Sequence, residues 1–323
     1  MCGIVALLTS CNDATSSSKG RKADDLQIVR TEQVLFNTDA NDLQRQLTVL
    51  KQEHPGIPLK IYPDNGEYMQ LVSGFVSDPV VREIYDSVES MYSDVGWLEH
   101  DLTTALAKVH DVMPDMQYNE VYSCIMAEFD YDNRVVADGK ALRIALDIYT
   151  LKKFEKFGYF GLPMFIVDMC DPKYIVSDCM LCIAKQHIAI PSQQMTMLDY
   201  MICEGKALYL LDLVLPNTPD ATKIRYNDMQ MSWVKKNEQD IWGYFVNNKL
   251  LYETDFMKFH NFVDEAPKTN AFKDSAPRTT QYIGWQIVRR YMKKNHITVK
   301  ELFEETDSQK ILRDSGYKPD KKF

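Results

Sequence analysis

The chain has 323 residues and is 45% hydrophobic, enough for one large core or two fused smaller ones without a disulfide-stapled scaffold. Its 37 basic and 46 acidic residues leave a net charge of −9, which argues against nucleic acid as a partner because phosphate contacts need a basic footprint. No apolar run beyond the first residues reaches the about 20 that a bilayer-spanning helix requires, so any membrane attachment is by an anchor rather than a span.

The N-terminus carries the first specific pattern. Residues 4–8 are apolar, and Leu8-Thr9-Ser10-Cys11 then places small residues directly before a cysteine. That order resembles the box of lipoprotein signal peptidase, which cuts before a cysteine whose thiol has been lipidated. Residues 1–10 are therefore read as a lipoprotein signal peptide, Cys11 as the lipid attachment site and residues 11–25 as a flexible tether, rich in Asn12, Asp13, Ser16, Ser17, Ser18 and Gly20. A secretory signal opens on a basic segment, yet no Lys or Arg precedes Lys19, which places the true start upstream of Met1. The competing reading is a buried N-terminal strand with an incidental cysteine; the abrupt switch to polar residues favours the signal. Of the 7 cysteines, Cys2 and Cys11 belong to this segment, and the remainder, Cys124, Cys170, Cys179, Cys182 and Cys203, is an odd set that cannot all pair.

Residues 26–323 read as a single globular domain of α+β class, mostly helical. Leu26, Ile28 and residues 34–36 suggest short extended structure. Leu43, Leu47 and Leu50 stand at helical spacing over residues 39–51, with Asp39 as the expected cap. His54-Pro55-Gly56-Ile57-Pro58 breaks the chain. Asp78-Pro79 opens a helix whose apolar face holds Val80, Ile84, Val88 and Met91, and Leu98, Leu102, Ala105 and Val109 mark the next. Residues 121–127 and 142–149 read as strands, with a turn near Asp138-Gly139. From Asp171 onward the chain is helix-rich, with loops at Pro191, residues 216–219 and residues 267–277.

Three segments carry most of the information. In the predicted helix around residues 198–212, Glu204 has Tyr200 and Met201 one turn before it and Ala207 and Leu208 one turn after. A carboxylate in such company is expected to be at least partly buried and to need a metal, a cation or hydrogen-bond donors. Gly205 costs helix stability, about 1 kcal/mol relative to Ala, and so suggests a close backbone approach. The second segment runs from Asn237 and Glu238 through Ile241 and Trp242 to Phe245, with its aromatics expected in the core and Glu238 facing the same interior as Glu204. The third, residues 275–292, sets Ile283, Ile287, Val288 and Tyr291 in a helical stripe, and Gly284 again permits close packing. Its basic end, Arg289, Arg290, Lys293 and Lys294, reads as a solvated helix terminus. Arg278 is the expected counter-charge for Glu204 or Glu238. Glu204, Lys206, Glu238 and Arg278 are thus read as one buried polar cluster.

No catalytic residue, cofactor or metal ligand set is expected. A helical zinc peptidase needs two histidines four residues apart around a glutamate, and among His54, His100, His110, His187, His260 and His296 no two are so spaced. Asp178 and Cys182 are four apart but lack a third ligand in phase. Cys179-Met180-Leu181-Cys182 is a lone pair without a second one. There is no phosphate loop, nucleophile elbow or dinucleotide fingerprint.

Together the three segments resemble the GldB family of gliding-motility lipoproteins. The helix pattern EGK-x-x-Y-x-x-D is matched by Glu204, Gly205, Lys206, Tyr209 and Asp212, and N-E-x-x-I-W by Asn237, Glu238, Ile241 and Trp242. The closing pattern is matched by Arg278, Gly284, Trp285, Ile287, Val288, Arg289, Tyr291 and Met292. Ala276-Pro277 stands where a Pro-Gly turn is more usual. Arg30, Phe36 and the strand ending at residues 146–149 also fit. The resemblance implies a lipid-anchored protein of the bacterial cell envelope, facing the periplasm or the cell surface. The family is in turn similar to gluzincin-type peptidases, in which a Glu-Gly helix supplies the third zinc ligand. The implied fold is therefore a zincin-like helical domain with a small N-terminal sheet, and the missing histidines imply a non-catalytic domain that binds an envelope protein or peptide in the old substrate cleft. The alternative is a metal-dependent hydrolase with an atypical site built from Glu204, His187 and Cys182 or Asp178.

Overall fold

The computed structural model describes residues 26–319. Cys11, the expected signal peptide at 1–10 and the tether at 11–25 lie outside the described residues. The remainder is α+β and mostly helical, with a small sheet in its N-terminal half.

The sheet is built from β1 (Ile28–Arg30), β2 (Glu120–Cys124), β3 (Val135–Asp138) and β4 (Ala141–Ala145), in the order β1-β2-β4-β3. β2 pairs in parallel with both β1 and β4, while β3 runs antiparallel to β4 on the outer edge. Every residue of β4 is buried, as expected of an inner strand covered on both faces. Gly139, at φ +56°, makes the tight turn between β3 and β4 where Asp138-Gly139 pointed to one. β3 itself escaped the sequence reading. The strand expected to run to residue 149 ends at Ala145, because Asp147 starts a 3₁₀ turn over Ile148–Lys153.

β1 leads directly into α1 (Thr31–Phe36), so residues 34–36 are helical, not extended: Phe36 stacks on Tyr85 at 4.6 Å from a helix rather than from a strand. In α2 (Leu43–Glu53) Leu43, Leu47 and Leu50 are buried as expected, but Asp42, not Asp39, precedes the helix, and its side chain makes no cap. α3 (Gly66–Ser77) meets α4 (Pro79–Met91) at Asp78, whose carboxylate accepts from the Val80 and Val81 amides at 2.8 and 3.1 Å. Ile84 and Val88 are buried there while Val80 is exposed. The predicted stripe of Leu98, Leu102, Ala105 and Val109 is wholly buried along α5 (Gly96–Val112).

The C-terminal half is a helical layer. α6 (Met164–Met169) and α7 (Ile175–His187) lead to α8 (Met197–Val214), which starts on a Thr196–Asp199 capping box. α9 (Asp220–Ile224) and α10 (Asp228–Asn247) follow, then α11 (Phe256–Val263), α12 (Thr279–Asn295), α13 (Val299–Glu304) and α14 (Ser308–Ser315). α8 and α12 are the most closely joined pair. A Cβ on Gly205 would run into the Gly284 carbonyl, and one on Gly284 into the Met201 carbonyl, so each glycine is what lets the other helix approach. Trp285 is completely buried beside this crossing. One continuous apolar cluster extends from Ile28 to Tyr317.

Candidate functional site

An open cleft of about 740 Å³ lies between edge strand β3, helix α7 and the start of α12. Asp178 sits at its base, 3% exposed. Arg134 donates to it from Nε at 2.9 Å, Arg225 Nη1 reaches both its oxygens at 2.8 and 2.9 Å, and the Tyr149 hydroxyl adds a bond of 2.6 Å. Burial alone would raise its pKa, but the Arg134 and Arg225 guanidiniums outweigh that and hold the carboxyl below its ordinary value. Arg225 reaches this place through a left-handed backbone at the end of α9, φ 59°. Its guanidinium lies between the rings of Tyr131 and Tyr174, 5.1 Å from each centroid.

Arg278 forms the opposite rim. Its Nε lies 3.0 Å from Glu265 Oε2, an ion pair without hydrogen-bond alignment, and it donates to the Gln281 side chain at 3.0 Å and the Arg225 carbonyl at 3.2 Å. Burial opposes its charge, but the Glu265 carboxylate holds its pKa above the usual value, and Glu204 contributes less than Glu265.

The expected cluster of Glu204, Lys206, Glu238 and Arg278 is not brought together. Glu204 is part-exposed and pairs with Lys185 at 2.7 Å, not with Arg278. One helical turn is too coarse to say which side of a part-buried helix a carboxylate leaves by, and Lys185 on α7 reaches it first. Lys206, 1% exposed, points away and donates to the Glu305 carbonyl; burial lowers its pKa. Glu238 accepts from the hydroxyls of Tyr282 at 3.3 Å and Tyr317 at 2.9 Å. The residues of the alternative metal site are likewise divided. Cys182 Sγ faces the Val135 carbonyl at 3.6 Å, His187 Nε2 lies 2.9 Å from the Tyr118 hydroxyl, and Asp178 is held by its arginines. Among the described residues no three His, Cys, Asp or Glu side chains are grouped as a metal ion needs.

The sequence motifs instead meet behind the cleft. Asp212 on α8 takes Arg289 from α12 through two 2.7 Å bonds, the Trp285 indole N–H at 2.9 Å and Lys223 at 3.0 Å. Arg289 also binds Asp220, at 3.0 and 2.9 Å, and lies 3.7 Å above the Trp285 ring. With Gly205 and Gly284 they make a clasp between two helices. Arg134 and Arg225 escaped the sequence reading because they lie 44 and 47 residues from Asp178. The available signal was Asp178 itself, which stands on a helix beside Ile175, Cys179 and Met180, all buried.

The family model described as gliding motility protein GldB matches residues 12–319. No curated protein and no solved structure matches the chain.

Proposed function

The chain belongs to the gliding motility protein GldB family, and from that premise we propose that it is a lipid-anchored protein of the cell envelope that holds an extended peptide segment of a partner in the cleft beside β3, without hydrolysing it. The observation that carries this reading is the commitment of Asp178. Asp178, the buried carboxylate at the base of the cleft, is closed off by two arginines and a tyrosine, beside a cleft that is open. β3 supplies the backbone a peptide needs. The Ala145 amide donates to the Arg134 carbonyl at 2.9 Å, so by antiparallel alternation Val136 faces β4 while Val135 and Ala137 turn their backbone outward. Those outward carbonyls accept from the side chains of Cys182 and Gln186 on α7, so an added strand takes this edge by displacing those two bonds. Arg134, Lys185 and Arg278 beside Asp264 and Glu265 give the rim both signs of charge. Anchoring rests on Cys11; among the described residues no helix is long and apolar enough to cross a membrane.

A photo-crosslinker at Val136 should capture a discrete envelope protein from membranes, and the same probe at Lys310 should not. Purified protein should leave a peptide library intact and carry no stoichiometric zinc after dialysis. About one zinc per chain, lost in Glu204→Ala, or peptide cleavage abolished by Asp178→Asn, would favour the hydrolase. A Cys11→Ser variant should lose acyl labelling and leave the membrane fraction; unchanged fractionation sinks the anchor.

A further inference from the structure

The two ends of α12 face different sites. Its start borders the cleft, and its C-terminal half walls a second depression of about 930 Å³, completed by α10 and the segment after α14. Arg290, Lys293 and Lys294 stand three and four residues apart on the helix, which brings them to one side. Lys236 joins them from α10 and Lys318 from the terminal segment, where its carbonyl accepts a 3.0 Å bond from Arg290. All five are exposed, and none has an ion-pair partner among the described residues.

The acids nearby do not neutralise them. Glu238, which accepts from the tyrosine hydroxyls beneath, and Asp240, exposed at the rim, offset at most two of the five charges. Arg289, also lining the groove, is already taken by Asp212 and Asp220. On a chain of net charge −9 this is a local reversal of sign, drawn from three separate segments. Like charges gathered this way repel, and a bound anion relieves them. We propose that the groove binds a compact polyanion bearing clustered phosphate groups. A phosphate monoester carries about −1.5 to −2 charges on three acceptor oxygens, and lysine ammoniums serve it as point charges. A lone carboxylate is better matched by a planar guanidinium, whereas four of these five cations are lysines. The volume suits a small ligand or a headgroup.

The source is either a soluble oligophosphate or phosphorylated headgroups at a membrane surface, and one experiment separates them. The full chain carrying Cys11→Ser, so that no acyl chain contributes, is titrated with tripolyphosphate and, separately, with phosphatidylcholine vesicles with and without phosphatidylglycerol. Tripolyphosphate should bind with strong salt dependence, roughly tenfold weaker in the Lys293→Gln/Lys294→Gln double variant and unchanged in Lys268→Gln. Binding to the anionic vesicles as well, displaced by tripolyphosphate, identifies headgroups; tripolyphosphate binding alone identifies a soluble anion. No tripolyphosphate binding, binding indifferent to the double variant, or equal competition by polyglutamate of the same charge would overturn the assignment.

Discussion

Asp147 and Asp178 are both enclosed by the fold, at 0% and 3% exposure, yet their surroundings drive their protonation in opposite directions. Asp147, just past β4, accepts from the Met126 and Ala127 amides at 3.2 and 2.8 Å and has no ion-pair partner among the described residues; burial raises its pKa to about 6. Asp178 has two arginines, and its pKa falls despite the same burial. Burial sets the default direction, and a neighbouring cation reverses it. The end of the sheet therefore holds a carboxyl that keeps its proton to a higher pH than usual, while the base of the cleft holds a fixed negative charge paired with two arginines.

The comparison is broken most forcefully at Asp178. Asp178→Ala leaves the part-buried Arg134 and the buried Arg225 without their carboxylate and should cost about 3–5 kcal/mol, read from urea midpoints. Adding Arg225→Met should recover part of that loss; strictly additive losses would mean the pair is not coupled.

At Asp147 the sign is the reverse. Its folded pKa of about 6 lies above the ordinary 3.8, so the folded state keeps a proton that the unfolded chain releases. That contribution is complete below about pH 4, is lost as pH rises to about 6, and amounts to about 3 kcal/mol. Asp147→Asn keeps an acceptor for both amides without the charge and should be more stable than the parent at about pH 7, with a flatter stability profile between those limits. Glu32, buried with its pKa also raised, contributes a slope of the same sign that survives the substitution. Asp178, with its pKa lowered, loses its contribution only as pH falls below the ordinary carboxylate range, so the two acids separate along the pH axis.

Tyr149→Phe removes one 2.6 Å bond to Asp178 and should cost about 1.5 kcal/mol, without moving the Asp147 slope. Glu204→Gln should be smallest, under about 1 kcal/mol, because its Lys185 partner is half exposed. A large loss in that variant would reinstate Glu204 as a buried charge.

Local patterns were legible where one element decides the outcome. Leu98, Leu102, Ala105 and Val109 went to the core because a 3.6-residue repeat puts them on one face whatever that face meets. Asp78-Pro79 began a helix through its own cap and ring. Val34 to Phe36 defeated the same reasoning, since a short apolar run fits helix or strand equally and only the Tyr85 stack chose between them.

By itself the sequence determined the helical character of the chain, the close approach at Gly205 and Gly284, and the family. Each depends on residue types and spacings within one segment, and a helical glycine signals a neighbour without naming it. The tertiary structure alone decided which charges meet. Glu204 turned to Lys185, Arg278 to Glu265, and Arg134 and Arg225 converged on Asp178, because the strength of an ion pair depends on the distance between side chains, and the fold sets that distance without regard to their separation along the chain.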